Sequence, residues 1–499
     1  TQLRNVLGNA EMAPMYIASD FFGSGIDRLI AKKTGVRTTG AGVKGMLSGA
    51  KKGLYESFDD FRRDINTRNT AGNRFEIGEG KTFSENNPLG KALNGLDRTL
   101  SFLLDAGDRP FYEAWFLKSL NNQMELNHAT EPAAEMISIA TNDALKRTWQ
   151  DTNTWTKAAS SIRRILNLGK DYGLGSMIMP YVKTPMNLAK AMVDFSPIGL
   201  TKTLARDGRA LMIAIQNGKV TAQMQRDFVT NLSNGIVGTI VMAAGYALAA
   251  NGILTGGGDE DKDVRKFAEN VLGIKPYSVK IGDKSYSYEW MQPVGGLLAM
   301  AADLEQTVDE GNITEYFRSK EGLAALMNKV LTSASSGMAV LTEQSLLQSI
   351  QTLFGADDLM QGRLSAAADE GTKWVPLGST LNQIASLGDE AVRTSYDNRS
   401  PYVTTAVNKV KARIPGLRQT LPESVDVLGR TIENRNDFFN VFFNPANTAK
   451  AKPTEASNEM YRLYKATGDK SLVPGVADYS LKHDGTNYIF DGEERAEFQ

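Results

Sequence analysis

The stretch "GIVGTIVMAAGYALAANGILTGGG", residues 235–258, decides how the rest of the chain is read. No charge occurs between Asp227 and Asp259, and a helix needs only about 20 apolar residues to cross a bilayer. Length is therefore sufficient. The run is nevertheless built on alanine and diluted by Gly235, Gly238, Gly245 and Gly252, with Asn231, Asn234 and Asn251, which weakens its drive to insert. Residues four apart, Gly245 with Ala249 and Gly238 with Met242 and then Tyr246, suit close helix packing more than lipid exposure. The pattern predicts a helix that is stored against protein in a water-soluble form and is apolar enough to enter a membrane.

Upstream, "MIMPYVKTPMNLAKAMVDFSPIGL", residues 177–200, sets Pro180, Pro185 and Pro197 around a helix with Met186, Leu188, Ala189, Met192 and Val193 on one face. Lys183 and Lys190 can run their stems along that face and keep their charges in water. Such an element fits a membrane surface or a partner helix, and equally an ordinary amphipathic surface helix. Downstream, "PYSVKIGDKSYSYEW", residues 276–290, alternates around Gly282-Asp283-Lys284 and predicts a β-hairpin, the only sheet expected. Helical spacing rich in Met, Ala and Gly then returns in "MQPVGGLLAMAADL" and "LAALMNKVLTSASSGMAVLT".

The first 168 residues fit a helical period. In "SFLLDAGDRPFYEAWFLKSL", Asp108 is placed to cap a helix with Pro110 in its first turn and Phe111, Trp115 and residues 117–120 around an apolar face. Between them lies a basic, glycine-rich connection: Arg28, Lys32, Lys33, Arg37, Lys44, Lys51 and Lys52, without one acid and broken by Gly35, Gly40, Gly42 and Gly45. It reads either as a contact for DNA phosphates or lipid headgroups or as a solvated loop. "GAGVKG" at residues 40–45 matches a dinucleotide fingerprint only formally, because no hydrophobic strand feeds it. "GEGKT" around Lys81 has Phe75 where a phosphate loop needs its first glycine.

Composition removes several function classes. With 41% hydrophobic and 23% charged residues the chain is able to bury cores, and 499 residues call for more than one of them. A net charge of −1 gives no global attraction to polyanions, so any such contact must be local. Cysteine is absent, and only His128 and His483 are present, both read as surface, capping or turn residues. Thiolate chemistry and a His-rich metal site are excluded. The acid groups Asp59-Asp60, Asp357-Asp358 and "GGDEDKD" at 257–263 read as solvated loops; the last lacks the spaced ligands and following glutamate of a calcium loop. No nucleophile, base and orienting group can be assembled, so no enzyme activity, catalytic residue, metal or cofactor is expected. The start at Thr1 lacks the basic and apolar regions of a signal peptide and reads as a processed product or part of a longer protein.

The succession "PYVKTPMN", "SPIGL", "GILTGGG", "VKIGDKSYSYEWMQP" and "IPGLRQTLPESVDVLGR", closed by "NPANTAKAKPTEASNEMYRLYKATGDKSLVP", resembles the C-terminal region of the large polyvalent proteins of tailed bacteriophages. The similarity runs over about residues 175–499 and consists of many weak matches in a consistent order. In layout the chain is also similar, more loosely, to the internal virion proteins of short-tailed phages, which pass into the host envelope during genome ejection. These resemblances imply a helical protein packaged in the virion and delivered with the genome, and no active site in this region. They imply as partners other virion proteins, further copies of the chain, the host membrane and phage DNA through basic patches, and as location the virion, then the host envelope or cytoplasm.

The expected fold is mainly α, an elongated, multi-lobed helical assembly with one small β-hairpin near 277–290. Expected segments are 1–97 with the basic loop, 98–175, 176–258 with the apolar helices, 259–430 with the hairpin and a second helical lobe, and 431–499 as an extended arm with a short helix near 455–466. Breaks are expected near 70–97, at "GGGDEDKD" and around 396–424. The candidate residues for membrane contact or helix packing are Gly235, Gly238, Met242, Gly245, Ala249, Lys183 and Lys190; those for phosphate or lipid are the seven cations between 28 and 52.

Overall fold

A computed structural model describes residues 2–63, 88–169, 182–259, 261–308, 378–397, 403–434, 441, 446, 448–450, 453–478 and 480–499. The chain is mainly helical and forms two compact units, residues 1–247 with 291–341 and residues 248–290 with 342–499. Each unit thus joins stretches far apart in sequence, which a division into consecutive segments does not express.

In the first unit, helix α1 (Gln2–Thr34) leads through an extended crossing to α2 (Met46–Arg62). Both pack against the long helix α3 (Pro88–Leu126), α1 parallel and α2 antiparallel to it. The α2–α3 seam is close because Gly49 and Gly53 face α3: a Cβ at Gly49 would lie 2.8 Å from the Ala114 Cα, and one at Gly53 2.8 Å from the Pro110 Cα. Ser57 continues the stripe and donates to the Asp105 carboxylate at 2.6 Å. This contact corrects the reading of Asp108 as a helix cap. Helix α3 runs straight through Asp108 and Pro110, because packing along its whole length outweighs the single hydrogen bond that an interior proline forfeits. Asp108 is instead a mid-helix residue that accepts from Asn9 Nδ2 at 3.1 Å.

Helix α4 (Ala134–Arg147) returns along α3. Asn153 caps α5 (Thr154–Leu166) through a reciprocal capping box. Helix α6 (Lys183–Asp194) is followed by Ser196, which caps α7 (Pro197–Lys202) with proline at its first position. A π-helical turn, Thr203–Gly208, then feeds α8 (Arg209–Gln216). Next come the apolar helix α9 (Ala222–Ala250), whose last residues belong to the second unit, and, back in the first, α11 (Val294–Thr307). The core gathers Met12, Tyr16, Trp115, Trp149, Met192, Phe195, Val237, Met242, Leu297 and Met300. Tyr16 meets Trp115 and Phe195 edge-on at 5.6 and 5.5 Å, geometries that favour aromatic pairs.

In the second unit, Asp261 caps α10 (Lys262–Asn270). The predicted hairpin forms as β1 (Ser278–Ile281) and β2 (Lys284–Ser287), with Ile281 opposite Lys284 and Gly282 at φ +62° in the turn. It is not the only sheet. Strand β3 (Thr448–Lys450) adds antiparallel to β2, and β4 (Ser480–His483) pairs with β5 (Thr486–Ile489) as a second hairpin around Asp484-Gly485. Short helices α12 (Gly378–Ser386), α13 (Val403–Lys411), α14 (Glu455–Thr467) and α15 (Gly492–Phe498) complete the unit.

The expected extended arm is corrected by this tail. Thr454 and Ser457 form a capping box for α14, and Gly468 closes it at φ +71°. Tyr461, Tyr464, Val473 and Val476 then cover Val264, Phe267 and Val271 of the unit's core. Tyr461 and Tyr464, three apart in "MYRLYKA", stabilise this docking, and the "GGGDEDKD" stretch anchors it: the Tyr464 hydroxyl donates to Asp259 at 2.8 Å and Lys470 pairs with Asp261 at 2.7 Å. Outside the described residues lie "GEGKT" around Lys81, the break over 70–87, the helical expectation for 323–342, and Asp357-Asp358.

Candidate membrane-engaging site

Helix α9 is the described element that meets the length and composition needed to cross a membrane, with mean hydropathy 1.5 over its most apolar 18 residues and only 39% of that window buried. Its two faces differ. On one, a Cβ at Gly235 would sit 2.8 Å from the Leu200 Cα, and one at Gly238 would overlap the Phe195 carbonyl. Gly245 faces Ala301 and Leu298, at 3.0 and 3.1 Å from an added Cβ. Met242 is buried in the same core, and Ala249 is buried at the helix end. The opposite face carries Ile240, Ala243, Ala244 and Ala247 in the open. The glycines therefore let neighbouring backbone approach one side, while the other side stays apolar and uncovered.

Polar contacts fix the start of α9 to α1. Ser233 meets Ser19 at 2.9 Å, and Gln225 donates to Asp27 at 2.8 Å and to the Val36 carbonyl at 2.9 Å. Asp27 is fully buried and also accepts from Arg37 at 2.7 Å and Thr38 Oγ1 at 2.7 Å. Burial alone would raise its carboxyl, but hydrogen bonds from Gln225, Arg37 and Thr38 outweigh that and hold it below the usual range.

A polar cleft of about 270 Å³ lies beside this core, lined by Tyr16, Asp20, Trp115, Lys118, Arg147 and Asn187 among others. Asp20 accepts from Lys118 Nζ at 2.6 Å and from both terminal nitrogens of Arg147 at 2.8 and 2.6 Å. The Arg147 guanidinium also stands 4.5 Å over the Trp115 ring and 5.0 Å over Tyr16. Burial pushes the Asp20 carboxyl up, yet Arg147 and Lys118 together hold it below the carboxylate range. Asp20, Lys118 and Arg147 are matched to one another in place, which makes this triad a clamp joining α1, α3 and α4. No group of three potential metal ligands occurs among the described residues. These ions escaped the sequence reading because partners stand 98 and 127 residues apart and no local spacing marks them.

The seven cations do not form one loop. Arg28, Lys32 and Lys33 lie exposed on the last turns of α1, Lys51 and Lys52 belong to the body of α2, and Arg37 and Lys44 lie between the two helices. Only residues 35–45 connect the helices, and they hold Gly35, Gly40, Gly42 and Gly45. Arg37 is held by Asp27, and Lys52 by Glu113 at 3.1 Å and Glu56 at 3.8 Å. Helix α6 packs inward: Ala189 and Met192 are buried, and buried Asn187 donates to the Trp149 and Asp151 carbonyls at 2.8 and 2.9 Å. Its Lys190 pairs with Asp194 on the same helix, and Lys183 sits half-buried at its start. Compared with known proteins, the chain matches no family model, and no curated protein or solved structure is significantly similar to it.

Proposed function

We propose that this chain is a phage virion protein, packaged in the particle and ejected with the genome, which engages the host envelope through α9 to help deliver DNA. The observation that carries the membrane part is the two-faced packing of α9: glycines hold one side against Phe195, Leu200 and Ala301, while Ile240, Ala243, Ala244 and Ala247 remain uncovered. A helix committed to a soluble core covers its apolar surface, and one committed to lipid does not need close protein packing. Support for the virion part is the ordered set of segments over residues 175–499 that resembles phage polyvalent proteins. In this reading the partners are other virion proteins, further copies of the chain, the host membrane and, through exposed cations of α1 and α2, phage DNA.

A second reading, a structural helical module of a virion or larger polyprotein, is favoured by the buried Val237 and Met242 on the same helix. Peptide mass spectrometry on particles before and after triggered genome release separates the two. Loss of the chain from emptied particles with recovery in the host-envelope fraction is expected; retention in the empty shell overturns ejection and leaves the structural module.

A further inference from the structure

Helix α2 is built the wrong way round for a helix of a soluble protein. Its inward line is Gly49, Gly53 and Ser57, all buried, while Leu47 is 70% exposed, Tyr55 71%, Phe58 55% and Leu54 43%. At 100° per residue Leu47, Leu54 and Tyr55 share one outward face with Lys51 and Arg62, Phe58 on that side also meets the Phe102 ring of α3 edge-on at 5.0 Å, and Lys44 precedes the helix. Contiguous exposed apolar surface of this kind marks an interaction site.

The charges on α2 select the partner. Its acids are all occupied: Glu56 by Lys52, Asp59 by Arg63 at 2.9 Å, and Asp60 by Arg109 at 2.8 Å. Lys44, Lys51 and Arg62 are exposed and have no acidic partner among the described residues. The outward face is therefore cationic as well as apolar, and Lys51 stands in the midst of the apolar side chains rather than at a rim. A protein partner would have to desolvate that ammonium at the centre of the interface, where charged groups are depleted. A bilayer imposes no such cost, since lysine stems extend to the headgroups while Leu, Phe and Tyr side chains settle at the acyl boundary.

We propose that the outward face of α2, carried by Leu47, Lys51, Leu54, Tyr55 and Arg62, docks in the plane of an anionic phospholipid surface. The helix lies flat over about 25 Å, held to the protein by its glycine seam with α3. The inference takes its partner from the membrane-engaging function above, but it uses a different helix and needs no insertion of α9.

The test is flotation of the full chain with vesicles of phosphatidylcholine alone and of an equimolar mixture of phosphatidylcholine and phosphatidylglycerol. Wild type is expected to float with the anionic vesicles, less so as salt is raised. The triple variant Lys44→Glu/Lys51→Glu/Arg62→Glu is expected to bind them at least about tenfold more weakly. Leu47→Ser/Leu54→Ser/Tyr55→Ser is expected to abolish flotation. Both variants should keep the wild-type circular dichroism and melting temperature, because the altered side chains are exposed.

Equal binding to both vesicles, or undiminished binding of either variant, overturns the proposal. Absence of wild-type flotation overturns it too and gives the face to a protein partner. Ile240→Asn/Ala244→Asn on α9 separates this inference from the function it rests on. If that variant still floats but no longer releases entrapped dye, docking by α2 stands apart from insertion. If dye release by wild type persists in both α2 variants with full flotation, the membrane function survives and the docking face is lost.

Discussion

Gly238 and Gly245 look alike in the sequence, each a glycine in an alanine-rich helix, yet their surroundings assign them different costs. A methyl group at Gly238 would run into the Phe195 backbone, whereas one at Gly245 meets the Ala301 and Leu298 side chains at 3.0 and 3.1 Å, a crowding relieved by a shift of a few tenths of an ångström. Gly238→Ala is therefore expected to destabilise the first unit by about 3 kcal/mol, at the upper end of overpacking penalties. For Gly245→Ala the penalty is largely offset by the gain of about 1 kcal/mol in helix propensity. Urea melts of the two variants check the order, and equal midpoints would show that the Phe195 contact does not fix α9. Asp20 gives a second contrast. Asp20→Asn leaves Lys118 and Arg147 buried with their charge unmatched, and losses of about 3–5 kcal/mol accompany such a break. A change below about 1 kcal/mol in the same assay would mean that water reaches the cleft and screens both cations.

At the scale of elements, what could be read in advance was whatever had a local cause. The hairpin follows from alternation around Gly282-Asp283, α14 from the spacing in "EASNEMYRLYKA", and α9 from an uncharged run. What could not be read depends on partners distant in the chain. Asp108 with Pro110 carries the local marks of a helix start, but α3 continues through both because Gly49 and Gly53 bring α2 against that very stretch. Strand β3 has little signal of its own in "TAK" and exists because β2 offers an edge. The same asymmetry holds for the candidate site. The glycine face of α9 was legible from four-residue spacing, as was Met242, whereas the identity of what they touch was not. The basic segment was legible as charge, but only the fold shows that Arg37 and Lys52 are structural ions and that Lys51 stands on the helix face of exposed Leu47 and Tyr55.

Across the whole molecule, burial and pairing of carboxyl groups set opposite pH dependences. Asp20 and Asp27 are held below their ordinary value, so the stability they contribute is present above about pH 3.8 and is lost as pH falls through their folded-state values. Glu11 and Asp108 act in the other sense. Burial pushes Glu11 up to about 9 and Asp108 to about 7, and both Glu11 carboxyl oxygens lack a hydrogen-bond partner. The folded chain then holds protons that the unfolded chain has released, so stability falls as pH rises from about 4.5 toward 9 for Glu11 and from 3.8 toward 7 for Asp108. Each group contributes a slope of up to about 1.4 kcal/mol per pH unit within its window. The first unit is therefore expected to be most stable in mild acid and to loosen on the alkaline side. Hydrogen exchange of peptides from α1 and α3 at pH 5 and pH 8, corrected for intrinsic rates, follows that unit alone. Protection should drop at pH 8 in the wild type and drop less in Glu11→Gln, which carries no titrating group at this position. Identical pH responses in the two proteins would show that Glu11 reaches solvent and does not govern the hold on α1, the helix to which the start of α9 is tied.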